Sequence, residues 1–298
     1  MIDVILLTGF LGSGKTTFLN EMLPVLARRY RRVAVVMNEF GSVGVDGRLV
    51  DGQAAELVEL QNGSIFCICI RDNFLAAMEK LTRDPKPDMV VIEATGVADP
   101  FEMGDFLGYP EIKGAYRLFG TITVVDAVNF PKVIQTMKAA RAQAQAADVF
   151  LITKADLVEE DQLTRLREVL KELNSDAVQL TAPYGRLTPA EWDMILSLPA
   201  ETGRHRYLGE RIPARDPLVS ITIPIGPFAD AAEACAAVTA ALPSNVLRAK
   251  GFVNIAGRPH LLQYTMGETE IAGAADEAEP VGQLVVIGVN LKREQISM

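Results

Sequence analysis

Cysteine and histidine are scarce in this sequence, with three Cys and two His among 298 residues. Three Cys exclude a disulfide framework, and two His, His205 and His260, exclude a His-rich metal-storage tract. Basic residues are also short. Against 38 Asp and Glu stand 29 Lys and Arg, a formal charge of -9, which excludes a general binder of nucleic acid or of anionic membrane surface. Long apolar runs are missing as well, each being broken by charge, Gly or Pro before the ~18–20 residues that a membrane helix needs. The strand-like opening IDVILLTG has no signal-peptide n-region, so a cytoplasmic protein with reduced thiols is expected. What is present is globular material, 49% hydrophobic and 22% charged, enough at this length for two domains with cores of their own.

From residue 2 to about 195, short β-branched runs alternate with stretches of helical period, the pattern of a parallel sheet covered by helices. Strands are expected at Ile2–Thr8, Val33–Met37, Glu56–Leu60, Met89–Ile92, Thr121–Asp126, Val149–Thr153 and Val178–Leu180. Helices are expected near Lys15–Arg29, Arg71–Leu81, Pro131–Ala146, Glu160–Glu172 and Pro189–Leu196. Runs such as VAVVM and MVVIE are continuously apolar, as strands buried on both faces must be. In GRHRYLGERIPARDP the periodicity fails, which predicts a nucleotide-domain-sized unit over 1–200, a linker over 201–216 and a small α+β domain over 217–298. That second domain reads as strands Leu218–Pro224, Val246–Ile255, His260–Met266 and Gln283–Val289 with an Ala-rich helix Ala229–Leu242. The acidic stretch Glu268–Pro280 reads as a solvated hairpin loop.

Three motifs carry chemistry. GFLGSGKTT, Gly9 to Thr17, fits G-x-x-x-x-G-K-[ST] between a strand and a helix. A triphosphate needs several converging N–H donors without side-chain obstruction, so Gly9, Gly12, Ser13, Gly14 and Thr17 form its cradle at a helix N-terminus. Lys15 then bridges the β- and γ-phosphates, and the Thr16 hydroxyl binds Mg²⁺. In VVIEATG an apolar strand ends in Glu93, placed to hold Mg²⁺ through water or to polarise an attacking water, with Gly96 positioned for the γ-phosphate. In LITKADLV a strand ends in Thr153, Lys154 and Asp156. The Asp156 carboxylate can accept from the N1–H and 2-amino group of guanine, and the Lys154 stem can pack along the purine. That selects GTP, although Thr153 stands where such motifs usually carry Asn.

Together with VVMNEFGSVGVDGRLV, ELQNGSIFCICIRDNF, VVDAVNF, RAKGFVNIAG and LVVIGVNLKRE, these motifs resemble the CobW-like GTPase family, relatives of the urease and hydrogenase accessory GTPases. The resemblance covers nearly the whole chain. It implies a P-loop NTPase domain with a mainly parallel sheet, a CobW C-terminal-like domain, GTP with Mg²⁺, and delivery or insertion of a metal such as Zn²⁺ or Co²⁺ into a client metalloenzyme or cofactor-carrying protein. It also implies that Glu39 and Asp46 lie close to Mg²⁺ or to the transported metal, within a first switch over Asn38–Asp46. The chain departs from the pattern twice: Ser42 replaces a second Glu, and the C-x-C-C motif is incomplete around Cys67 and Cys69.

Cys67 and Cys69 are an i, i+2 pair, which in extended backbone would put both thiols on one face, half of a tetrahedral site. IFCICI is equally suited to burying them as core thiols. Both readings stay open at this point, and with them two functions: a metal chaperone, or a GTP-dependent assembly or reactivation factor that binds no transition metal. An ATP-using kinase is the third and weakest, resting on Thr153. Cys235, in AAEACAAV, reads as packing. No arginine finger or water-orienting Gln stands out, so intrinsic turnover is expected well below about 1 s⁻¹, to be raised by a partner, a metal or a homodimer.

Overall fold

The computed structural model describes residues 1–37, 55–59, 68–83, 85–198, 218–274 and 281–296. The chain divides into two compact units, Met1–Arg215 and Asp216–Met298; the expected linker, 201–216, lies outside the described residues.

In the first unit the strands are β1 (Ile2–Gly9), β2 (Val33–Met37), β3 (Ala55–Glu59), β4 (Met89–Glu93), β5 (Tyr116–Asp126), β6 (Val149–Thr153) and β7 (Val178–Thr181). They form one sheet in the order β3-β2-β4-β1-β5-β6-β7, every pair parallel. The helices are α1 (Lys15–Arg29), α2 (Ile68–Leu81), α3 (Pro100–Phe106), α4 (Phe130–Thr136), α5 (Lys138–Ala146), α6 (Glu160–Leu173) and α7 (Pro189–Leu196). Side chains alternate across each strand, and β1 is buried on both sides. Ile5 and Leu7 join a cluster with Phe18, Leu19, Met22, Trp192 and Ile195 of α1 and α7, where the Phe18 and Trp192 rings stack at 5.3 Å. Val4 and Leu6 face the other way and join Phe74, Met78 and Leu81 of α2.

Four sequence expectations need correction. β5 begins at Tyr116, five residues before its expected start, because Ile2–Val4 offer it a parallel partner below the bulge at Val4/Ile5. The single helix expected over Pro131–Ala146 is two, broken where Met137 adopts extended backbone, φ -102 and ψ 116. Short α3 had no periodicity long enough to see; its first turn is held by the Asp99 carboxylate, which accepts from Phe101 N at 2.9 Å.

The fourth correction falls in the second unit, a five-stranded antiparallel sheet in the order β11-β10-β9-β12-β8. Its strands are β8 (Leu218–Pro224), β9 (Val246–Ile255), β10 (Arg258–Thr265), β11 (Glu268–Ala274) and β12 (Gln283–Val289), with α8 (Ala231–Ala241). The acidic stretch expected as a loop supplies β11, an edge strand paired with β10. Its Glu268 and Glu270 are exposed and alternate with half-buried Thr269 and Ile271, and charge on an edge strand guards against pairing with other chains. The core is Ile223, Val238, Val246, Val253, Leu262, Leu284 and Val286. Cys235 is half-buried, its Sγ 3.7 Å from Thr269 O, and His260 Nδ1 lies 3.0 Å from Arg258 O. Among the described residues no helix is long and apolar enough to cross a membrane.

Candidate functional site

The parallel register sets the ends of four neighbouring strands side by side, pairing Leu7 with Glu93, Gly9 with Val124, and Asp126 with Thr153. Loops leaving that C-terminal edge are where open α/β sheets bind ligands.

Gly9 leaves β1 at φ +141, and a Cβ there would lie 2.4 Å from Val124 O and 2.8 Å from Ser13 Oγ. No side chain could be carried at this turn. The loop closes through Ser13 N donating to Phe10 O at 3.2 Å, and α1 begins with Phe18 N on Gly14 O at 3.0 Å, so the backbone N–H groups of the first turn are offered to an anion. Lys15 is buried inside the loop, its Nζ donating to Gly9 O at 2.9 Å and Phe10 O at 3.3 Å. Thr16 points across to β4, its hydroxyl donating to Glu93 Oε1 at 2.9 Å.

Among the described residues, Ser13 Oγ and Thr95 Oγ1, on residues 1% and 2% exposed, have no hydrogen-bond partner. A buried hydroxyl left unsatisfied costs about 1–3 kcal/mol, and a phosphate oxygen would relieve each. With the Gly9 turn and the Thr16–Glu93 pair, the residues fit a magnesium nucleoside triphosphate.

Beyond β4, Gly96 lies against the phosphate loop, where a Cβ would meet Leu11 N at 2.6 Å and the Leu11 side chain at 2.5 Å. At β6, Thr153 is buried and its hydroxyl serves Ser13 O at 2.8 Å and Val125 O at 3.2 Å. A hydroxyl therefore ties the end of β6 to the Gly9 to Thr17 loop here. Lys154, at φ 55, pairs with Asp126 Oδ2 at 2.8 Å. Asp156 is exposed in the turn Ala155–Leu157.

The structure thus brings together Gly9 to Thr17, Glu93, Gly96, Thr153 and Lys154. Glu39, Asp46 and Cys67 lie outside the described residues. Cys69 falls in the first turn of α2, on helical and not extended backbone, while its partner in the pair, Cys67, lies outside the described residues. Among the described residues no cluster of three metal-ligating side chains occurs.

Sequence reasoning missed Asp126 and Gln143. Asp126 accepts from Val128 N at 2.9 Å, Asn129 N at 3.1 Å and Asn129 Nδ2 at 3.0 Å, besides Lys154. Its signal was available, since VVDAVNF ends an apolar strand in a carboxylate just as VVIEATG does. Gln143 had none, being one Gln of two in an Ala-rich helix.

Compared with known families, residues 3–181 match the CobW/HypB/UreG nucleotide-binding domain, and residues 222–298 match the cobalamin synthesis protein cobW C-terminal domain. The chain belongs to the CobW/HypB/UreG family. Among curated relatives, the zinc chaperone YjiA of Escherichia coli K12 is 29% identical over 317 residues, spanning 99% of this chain and 96% of that protein. The zinc chaperone CobW of a Sinorhizobium species is 28% identical over 335 residues, spanning 97% and 93%. A crystal structure of Zn(II)-bound YjiA GTPase from E. coli is similar at 26% identity and a TM-score of 0.49, covering 99% of this chain and 96% of that one. The family's first domain accounts for the parallel-sheet unit with its phosphate loop, and its second for the antiparallel unit.

Proposed function

We propose that this CobW/HypB/UreG family chain is a slow GTPase that works in the cytoplasm as a metal chaperone, handing a metal ion to a client metalloenzyme or cofactor-carrying protein. The nucleotide half rests on one observation above all: Thr16 and Glu93 meet at 2.9 Å at the mouth of the Gly9 to Thr17 loop. The metal half rests on family membership and on relatives named as zinc chaperones, which makes Zn²⁺ the first metal to test.

In this reading the N–H groups of Gly12 to Thr17 and the Lys15 ammonium grip the phosphates. Thr16 and Glu93 would hold Mg²⁺, which when bound offsets charge on the phosphate oxygens. Thr95 and Gly96 approach the terminal phosphate, Lys154 flanks the base, and Asp156 reads the guanine edge. Glu39 and Asp46 are assigned to the transported metal or to Mg²⁺, and Cys67 and Cys69 to the transported metal. Loss of the terminal phosphate then releases the segments around 38–46 and 95–99, changing the surface a client meets.

Two observations favour a second reading, a GTP-dependent assembly factor without a transition metal: Cys69 lies on helical backbone, and Ser42 removes a carboxylate. Equilibrium titration with Zn²⁺, Co²⁺ and Ni²⁺, in GTP and in GDP, separates the two when the Cys67→Ser/Cys69→Ser double variant is run alongside. A chaperone binds metal more tightly in one nucleotide state and loses that binding in the variant. Equal binding by both proteins would remove the Cys pair from the site, and no binding by either would leave the assembly factor.

A further inference from the structure

Gln143, on α5, is 1% exposed in a helix otherwise packed through alanine. Its Nε2 donates to Gly96 O at 3.3 Å and to Ala98 O at 3.2 Å. A side-chain amide has two N–H donors, and here both are spent on the segment that follows Glu93. That segment has little else in the way of regular structure, turning tightly through Ala98 N on Thr95 O at 3.0 Å.

The other end of Gln143 is tied down as well. Its own carbonyl accepts from Thr123 Oγ1 at 2.9 Å, and Thr123 Oγ1 lies 2.9 Å from Thr8 Oγ1. Thr8 is the residue before Gly9. A buried chain of polar groups therefore runs from the root of the phosphate loop, through β5 and α5, to the carbonyls of Gly96 and Ala98. Phe101, packed with Ala142 and Ala146, adds an apolar contact between α5 and α3, the helix into which the same segment leads.

We propose that Gln143 is a positioning residue for the hydrolytic step, setting the segment Thr95–Ala98 against the phosphate loop so that it meets the terminal phosphate of a bound triphosphate. In a trans peptide the C=O and N–H point opposite ways, so fixing Gly96 O toward α5 turns the Val97 N–H away from it. Fixing Ala98 O holds the last residue of the turn that Ala98 N closes on Thr95 O, and the Thr95 hydroxyl is buried with no partner among the described residues. Gln143 touches no substrate in this arrangement. It acts by removing the freedom of a turn that would otherwise have to be ordered at each turnover.

This inference rests on the GTPase reading above and deepens it. The test compares wild type with Gln143→Leu, which keeps the bulk and loses both donors, and Gln143→Glu, which keeps the shape but turns oxygen toward two carbonyls. Steady-state GTP hydrolysis is measured together with the affinities for GDP and for a non-hydrolysable GTP analogue. Expected is a roughly tenfold or greater fall in kcat and a weakened preference for the analogue over GDP, with GDP affinity held within about twofold. Unchanged kcat and unchanged preference in both variants would overturn the assignment. So would a parallel loss of GDP and analogue binding, the mark of a purely structural residue. Should Leu fail to fold, the Glu variant reads the same quantities. A wild-type chain that binds neither nucleotide would instead overturn the GTPase reading, and this inference with it.

Discussion

The Thr16 hydroxyl donates to Glu93 Oε1 across 2.9 Å, joining the first turn of α1 to the end of β4. The bond couples two groups that the nucleotide reading assigns to one cation, so the pair is preorganised and replacing either member disturbs both. Glu93→Gln is expected to lower GTP turnover by about 10²-fold or more, while nucleotide affinity changes far less. Stopped turnover assays with parallel fluorescent-GTP binding check this. Unaltered kcat would remove Glu93 from the chemistry.

Lys15 is buried among the carbonyls of its own loop, donating to Gly9 O and Phe10 O. An ammonium held at this place by two carbonyls is set to meet the negative charge of a phosphate bound in the loop. Lys15→Ala is therefore expected to reduce GTP and GDP affinity by at least ~10²-fold, in line with the loss of charged hydrogen bonds worth about 1.5–3 kcal/mol each. Isothermal titration measures it directly. Wild-type affinity in the variant would remove the phosphate-cradle assignment.

Thr153 spans 140 residues of sequence to reach Ser13 O at 2.8 Å. Thr153→Val keeps the shape and strands a buried carbonyl, so unfolding free energy should drop by about 1–3 kcal/mol, with a weaker grip on GTP. Urea unfolding tests the first part and nucleotide titration the second. A stability equal to wild type would mean that the loop does not depend on this tie.

These relationships differ in how far they could be read beforehand. The phosphate loop, Glu93 and the Thr153 to Asp156 turn are short local patterns with fixed spacing, so their residues were nameable and their strands fell within a residue or two of the observed bounds. Gln143, Thr123 and Thr8 form a line only when β1, β5 and α5 are folded together, and nothing local marks them. The same holds for β11, whose acidic composition spoke for a loop while pairing with β10 decided for a strand. The break at Met137 was hidden because both halves keep helical period.

Stability should also respond to alkaline pH. Tyr116 donates its hydroxyl to Met78 O at 2.5 Å, and burial pushes its phenol above the ordinary range, as it does for Tyr30 and Tyr264. A folded-state pKa above the unfolded value of about 10 means the folded chain holds protons that the unfolded chain releases. The contribution is thus complete below about pH 10 and declines as pH rises beyond it. Denaturant unfolding from pH 8 to 11 should show a plateau followed by a fall, and Tyr116→Phe should flatten part of that fall. An equal slope in the variant would assign the decline to other groups.

On the GTPase reading proposed above, the other side of the site is where GTP would be told from ATP. Asp126 holds the Lys154 ammonium at 2.8 Å and is itself held by two N–H groups and the Asn129 amide, so Lys154 is fixed while exposed Asp156 stands beside it. A carboxylate accepting from two guanine donors discriminates against adenine, which lacks them, and losing such charged hydrogen bonds costs about 1.5–3 kcal/mol. Asp156→Ala should therefore weaken GTP by about ten- to a hundredfold and leave ATP nearly unchanged, collapsing the preference. Asp126→Asn should weaken both nucleotides together through the disordered Lys154, with a loss of stability that Asp156→Ala does not share. Competition of GTP and ATP against one fluorescent nucleotide reads all four affinities. If Asp156→Ala lowered GTP and ATP affinity in parallel, the carboxylate would be serving the loop and not the base.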